Sequence, residues 1–309
     1  MARKATNNLL QKAKKSKNDE FYTQFSDIEK ELQYYKSHFE NKIVYCNCDD
    51  PHTSNFFKYF VSNFKELRLK KVIAACYAEK GFFAEYAGEK IAVSYFKEDG
   101  DFRSAESIAL LKQSDIVVTN PPFSLFREYV AQLVEYQKQF LIIGNINAIT
   151  YKEIFKLIQE NKAWLGIHLG RGISGFIVPQ RYELYGTEAR IDASGNRIVS
   201  PNNCLWLTNL DNFKRHEDIV LTKNYFGNEN NYPQYDNYNG IHIDKTENIP
   251  SDYTGYMGVP ITFLHKFNPN QFEIVKFRKG DNEKDLSING KYPYFRILVR
   301  NKRYPLVNC

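Results

Sequence analysis

The stretch Asp115-Ile116-Val117-Val118-Thr119-Asn120-Pro121-Pro122-Phe123 decides how this chain is read, because a strand-like run ends in it on a rigid bend and a helix-like run follows. Two successive prolines hold φ at about −65° and carry no amide hydrogen, so the bend is stiff and its oxygens face fewer competing donors. Asn and Pro are also ordinary turn residues, and a plain turn between strand and helix is the alternative reading of these positions.

Outward from the bend, strand-like runs at 42–46, 71–76, 91–95, 115–119 and 140–144 are separated mostly by helix-compatible segments at 54–64, 105–112, 125–137 and 151–160. An amphipathic helix is expected before them, where Ile28, Leu32, Tyr35 and Phe39 recur at helical spacing. Strands alternating with helices imply a parallel sheet covered on both faces, with ligands at the carboxyl ends of its strands. After residue 160 the rhythm changes, and the runs 166–170, 175–179 and 204–210 have no helices between them, as in an antiparallel sheet edge. The expected fold is therefore α/β, a mostly parallel sheet with an antiparallel edge. A loose boundary near residue 212 separates residues 1–212 from a smaller region, 213–309, which is rich in Asn, Tyr, Lys and Gly, shows little periodicity and is expected to be loop-rich.

The 309 residues can bury a substantial core, and 43% hydrophobic with 25% charged residues is an ordinary soluble composition. A net charge of +6 permits a polyanionic partner without requiring one. The 22 Tyr and 23 Phe suit both a core and a base-contacting surface. No apolar run approaches the roughly 20 residues that span a bilayer, and the N-terminus has no apolar signal block, so a cytoplasmic protein is expected. Five cysteines exclude a fully paired disulfide framework. Cys46 and Cys48 have no second Cys/His pair to complete a zinc site, and no metal is expected. The lysines and arginines between Arg3 and Lys17 read as a solvated terminus or as a phosphate-gripping arm.

An exocyclic amine on a nucleobase is a poor nucleophile because its lone pair is delocalised into the ring. The Asn120 side-chain oxygen and the Pro121 carbonyl are suited to accept its two hydrogens as the nitrogen pyramidalises and gains positive charge. Pro122 stiffens this arrangement, and Phe123 offers an aromatic face for an extruded base. The methyl donor compatible with such a pocket is S-adenosylmethionine, whose sulfonium carries an activated methyl.

Two acids, Asp49 and Asp50, follow the first strand, where a carboxylate can bind ribose hydroxyls or an ammonium; Asp50-Pro51 also reads as a helix start. Gly100-Asp101-Phe102 should lie along the same sheet edge, with Asp101 accepting from the cofactor's adenine amine and Phe102 packing on its ring, or with Asp101 capping a helix. Gly170-Arg171-Gly172-Ile173-Ser174-Gly175 fits a dinucleotide-binding pattern but runs into the strand-like Phe176-Ile177-Val178, not into a helix. It is read as a turn, with Arg171 as a possible phosphate contact.

The order Asp19-Glu-Phe-Tyr-Thr-Gln24, Asn47-Cys-Asp-Asp-Pro51, Gly100-Asp-Phe102 and Asn120-Pro-Pro-Phe123 resembles the adenine-specific DNA methyltransferases, most closely the EcoRI-type modification methylases. The resemblance extends to Met257–Leu264 and Phe267–Glu273. It implies an S-adenosylmethionine-dependent methyltransferase fold with a C-terminal target-recognition region, acting on double-stranded DNA in a restriction-modification or related system. No obligatory protein partner is expected, and the expected state is a monomer. It implicates Phe21, Tyr22 and Thr23 in the cofactor pocket and Asn120, Pro121, Pro122 and Phe123 in holding a flipped adenine. Where the wider methyltransferase pattern has a glycine-rich loop after the first strand, this chain has Cys46-Asn-Cys-Asp-Asp50. Rival readings are methylation of an RNA base or a protein glutamine, and a catalytically silent DNA-binding protein on the same fold.

Overall fold

The computed structural model describes residues 22–180, 184, 189–200 and 203–303. The basic run near the N-terminus and Phe21 lie outside the described residues, as does the side chain of Arg171. Contacts group the chain into two units, residues up to 154 with 165–210, and 155–164 with 211 onward.

The first unit is built on an eight-stranded sheet, whose strands are numbered within it: β1 (Ile43–Asn47), β2 (Lys71–Cys76), β3 (Phe82–Tyr86), β4 (Ile91–Tyr95), β5 (Ile116–Thr119), β6 (Gln139–Asn145), β7 (Trp164–Leu169) and β8 (Cys204–Thr208). They lie in the order β4-β3-β2-β1-β5-β6-β8-β7. The central four, β2, β1, β5 and β6, are parallel. Their side chains are almost all buried, as the near-continuous apolar runs require when helices cover both faces.

The helices are α1 (Phe25–Leu32), α2 (Asn55–Ser62), α3 (Ala105–Gln113), α4 (Phe126–Glu135) and α5 (Lys152–Gln159). The first continues as a 3₁₀ segment, Gln33–Phe39, and Ile28, Leu32, Tyr35 and Phe39 all enter the core. Its burial follows from their spacing. In α2 the Ser54 hydroxyl accepts the Phe57 amide at 3.1 Å, and Phe56, Phe57, Tyr59 and Phe60 are buried. Helix α3 is capped in the same way by Ser104. Among the described residues, no helix is long and apolar enough to cross a membrane.

Four expectations need correction. Ile91–Tyr95 is a strand, but it is reached through the strand β3 and not through a helix, so β2, β3 and β4 form an antiparallel meander. Pairing with β2 settles this short segment as a strand, and Gly88 turns the chain at φ +100°. Asp50-Pro51 does not start α2. The Asp50 carboxyl accepts the His52 amide at 2.8 Å in a local turn, and the helix begins after Ser54.

Next, Phe176–Val178 leaves the main sheet. It pairs antiparallel with Tyr22–Thr23 on one side and with Arg197–Val199 on the other, in a four-stranded sheet completed by Ala189–Ile191. Of the three runs expected at the antiparallel edge, β8 pairs antiparallel with β6, and β7 lies beyond it. Finally, the second unit is more ordered than its composition implies. Five strands run in the order Gln234–Tyr235, Tyr238–His242, Tyr256–Pro260, Arg296–Asn301 and Phe272–Phe277. Ile241, Met257, Val259, Ile297 and Val299 are buried there, and Leu298, between the last two, clusters with Tyr235 and Leu286.

A buried carboxylate fastens α1 to β7. Glu31, fully shielded from solvent, accepts the amides of Ile167 at 2.7 Å and His168 at 2.9 Å, and its Oε2 lies 2.7 Å from His168 Nδ1. Gly166 leaves the room for it, since a Cβ there would stand 2.3 Å from Glu31 Oε1. Glu31→Ala strands two buried amides, and urea unfolding should show a loss of about 3 kcal/mol, far above the effect of trimming an exposed glutamate.

Candidate active site

The chain leaves β1 through α2 to β2 on one side and returns on the other side of β1 as β5. The strand order therefore reverses between β1 and β5, and in open α/β sheets the crevice outside the carboxyl ends at such a point is where ligands bind. Asn47 ends β1 and residues 48–50 follow it, while Asn120–Phe123 follows β5, so the two segments meet at this crevice. Asn120, Pro122 and Phe123 are half-buried and Pro121 is buried.

Polar contacts tie the two segments together. Thr119 Oγ1 lies 2.7 Å from the Asn47 carbonyl and 2.5 Å from Asp49 Oδ2. Ser54 Oγ donates to Asp49 Oδ1 at 2.7 Å, and Tyr129 on α4 donates its hydroxyl to Asn47 Oδ1. Cys48 makes the turn at φ +81°, while its amide and that of Asp49 both donate to the Ala75 carbonyl, at 3.0 and 2.9 Å. Here a cysteine occupies the left-handed conformation that a glycine-rich loop would adopt without a Cβ penalty. Burial pushes the Cys46 and Cys48 thiols and the Tyr129 hydroxyl well up.

The N-terminal segment arrives by a separate route. Thr23 pairs with Phe176, and the Phe176 ring meets the Phe123 ring edge-on at 6.2 Å. Asn55 Nδ2 donates to the Thr23 carbonyl at 2.8 Å. Gln24 Nε2 donates to Ser174 Oγ at 2.7 Å and to the Gly175 carbonyl at 2.9 Å, while the buried Asp27 accepts the Ser174 amide and hydroxyl. Tyr22 and Thr23 are thus joined through one buried ring to the bend at Phe123.

Gly100-Asp101-Phe102 lies against the carboxyl end of β2, for a Cβ on Gly100 would stand 2.5 Å from the Cys76 carbonyl. Phe102 is buried against Tyr129 at 5.1 Å, and Gln132 Nε2 donates to its carbonyl at 3.1 Å. The Asp101 carboxylate is bound by Arg103 through both oxygens, at 2.8 and 2.6 Å, and that guanidinium lowers its pKa. Ser104, not Asp101, caps α3. Sequence reasoning missed Asn47, Thr119, Tyr129 and Phe176. The first two stand directly beside residues that were read, whereas nothing local signals that Phe176 returns to the site.

The comparisons with known proteins bear on this arrangement. Residues 9–91 and 86–302 match the family described as "Adenine-specific methyltransferase EcoRI". The chain belongs to this family. Type II methyltransferase M.EcoRI of Escherichia coli is 68% identical to it, over 98% of this chain and 99% of its own. Type II methyltransferases M.MpnI of Mycoplasma pneumoniae and M.MgeORF184P of Mycoplasma genitalium are 42% and 39% identical, each over 94% of this chain and 98% of its own. No solved structure matches the chain. As a member of the EcoRI adenine-specific methyltransferase family the protein is an enzyme, and its mixed α/β sheet is a methyltransferase fold.

Within that family fold, Phe176 is the piece that joins the N-terminal strand to the bend. Phe176→Ala should cost about 3 kcal/mol of stability. Hydrogen exchange should then quicken at Thr23 ahead of the β1 and β5 amides, because the cavity opens between the two small elements and not in the main sheet.

Proposed function

We propose that this chain is a site-specific DNA methyltransferase that modifies the exocyclic N6 amine of an adenine rotated out of duplex DNA. The observation that carries the reading is the rigid Asn120–Phe123 bend at the reversal point of a parallel sheet, tied through Thr119 to the loop after β1. Such a bend presents two acceptors and a ring to a planar amine without rearrangement, and preorganised dipoles of this kind act most strongly where charge develops.

The methyl donor is S-adenosylmethionine, which when bound supplies a sulfonium-activated methyl group. The residues around the crevice fit it. Thr23 Oγ1 is buried and makes no hydrogen bond among the described residues, leaving a hydroxyl for a bound cofactor. Tyr22 neighbours it on the same short strand. Asp50, Asp101 and Phe102 line the carboxyl edge of β1 and β2, Asp50 contributing acceptor oxygens and Phe102 an aromatic wall. Asp101 acts there as an ion pair with Arg103, a narrower part than that of a bare carboxylate. Phe21 completes the N-terminal aromatic segment on the strength of the family resemblance.

On the amine side, the Asn120 side-chain oxygen and the Pro121 carbonyl accept the two N6 hydrogens and stabilise the pyramidal nitrogen, Pro122 keeps the bend from yielding, and Phe123 stacks on the base. Extruding a base costs a few kcal/mol of pairing and stacking, which contacts to the duplex must offset. We assign those contacts mainly to the region from 213 to 309. Tyr292 and Tyr294 are exposed there, and Arg278 stands 4.6 Å from the centre of the Phe295 ring, a mixture of cation and aromatic suited to phosphates and bases.

Transfer of labelled methyl from S-adenosylmethionine to duplex DNA, RNA and protein acceptors tests this. Duplex DNA should be the preferred acceptor, and Asn120→Ala should lower kcat about a hundredfold or more, with binding of the cofactor kept. Undiminished activity in that variant, or preference for RNA or protein, overturns the proposal.

A further inference from the structure

The Thr119 hydroxyl has one hydrogen and two oxygen neighbours, the Asn47 carbonyl at 2.7 Å and Asp49 Oδ2 at 2.5 Å. A carbonyl can only accept, and so can an ionised carboxylate. With Asp49 ionised, one of these two contacts sets lone pair against lone pair. With Asp49 protonated on Oδ2, the acid donates to Thr119 Oγ1, and Thr119 donates onward to Asn47. The other carboxyl oxygen is served as well, since Ser54 Oγ donates to Oδ1 while itself accepting the Phe57 amide. Only the protonated form gives each contact its hydrogen.

We infer that Asp49 is a positioning residue that works as a neutral acid, its proton closing the chain from Asp49 through Thr119 to Asn47 that seats the Asn120 bend. This rests on the methyltransferase reading of that bend. Asp49 as a residue is half-buried, but its carboxyl is enclosed. Burial raises its pKa to about 7, against the opposing effect of the Thr119 and Ser54 hydrogen bonds. The titratable groups around it are Cys46, Cys48 and Asp50 on its own strand and loop, Tyr129 from α4, and Asp101 beyond Cys48. All are acids. Among the described residues no lysine or arginine pairs with Asp49, so no cation offsets its burial, and only the Thr119 and Ser54 hydroxyls favour its anion.

Loss of the proton to solvent turns Oδ2 into a second acceptor facing Thr119. The hydroxyl must then turn toward it and release Asn47, and Thr119 is bonded directly to Asn120. For stability the sign is fixed. The native pKa lies above the unfolded value of about 4, so between these two pH values the native state holds the extra proton, and this group's contribution falls as pH rises from about 4 through about 7.

The test compares the wild-type protein with Asp49→Asn, Thr119→Val and Thr119→Ser, measuring kcat and KM for duplex DNA between pH 6 and 9, cofactor binding by calorimetry, and thermal unfolding at each pH. Asp49→Asn copies the protonated acid, with an amide N–H for Thr119 and an oxygen for Ser54. Its kcat should stay within about threefold of wild type at pH 6.5 and remain flat to pH 9, while wild-type kcat falls about tenfold over that range. Thr119→Val should lose about tenfold or more in kcat with KM little changed, and Thr119→Ser should recover most of it. The wild-type infrared spectrum at pH 6 should contain a protonated-carboxyl C=O band that Asp49→Asn lacks.

A folded but inactive Asp49→Asn, identical pH profiles for wild type and Asp49→Asn, or no such band overturns the inference. A wild-type protein that does not methylate DNA sinks the proposed function instead, and the infrared band still decides the state of Asp49.

Discussion

The seating of one strand end against another is the constraint on which the rest of this molecule depends. Strands β1 and β5 are parallel neighbours, and at their carboxyl ends the ladder stops, leaving polar groups with no further backbone partner in the sheet. Thr119, Asn47, Asp49 and Tyr129 satisfy those groups with one another. In doing so they set the spacing between the loop after β1 and the bend after β5. A sheet alone would align the two strands, but it would leave the segments beyond their ends free to adopt several spacings. The side-chain contacts select one, and two prolines then carry that choice into Asn120 and Phe123 without slack.

Around this centre the fold uses buried carboxylates where an apolar core would be the default. Asp27 and Glu31 lie one helical turn apart on α1; Glu31 accepts the amides of Ile167 and His168, and Asp27 accepts the amide and hydroxyl of Ser174. Carboxylates receiving two or more such donors are directional in a way that apolar packing is not. Helix α1 therefore has one register against that segment, and the short strand just before it, Tyr22–Thr23, has one place to pair. The Phe176 ring then transmits that placement to Phe123. The N-terminal strand and the Asn120–Phe123 bend are thus positioned by different parts of the chain and brought into agreement by a single buried side chain.

This division suits chemistry in which the protein supplies position and dipoles more than reactive groups. Methyl transfer from a sulfonium to an aromatic amine asks for alignment and for acceptors on the nitrogen's hydrogens. Small displacements of well-aligned reactants carry large rate penalties. A site held by short hydrogen bonds, prolines and one interlocking ring answers that requirement.

Much of this was legible in the residues. The β-branched and apolar runs at β1, β2, β5 and β6 are continuous because both faces of those strands are covered, and burial on both faces leaves its mark on every residue. The bend at 120–123 was legible because proline restricts its own backbone whatever surrounds it. Asp50 and Asp101 were found at the right edge of the sheet, yet their hydrogen-bond partners, His52 and Arg103, were not readable beforehand. Strand β3 was missed because helix and strand compete for a short segment between glycines, and pairing with β2 settled it. Phe176 as a neighbour of Phe123, Glu31 as an acceptor from β7, and the proton on Asp49 were matters for the tertiary structure alone. Sequence by itself determined what each segment prefers, since propensity and apolar periodicity are local. Which distant polar groups meet, and so which oxygen must carry a hydrogen, is decided only when the chain closes on itself, because hydrogen bonding depends on distances that no local pattern encodes.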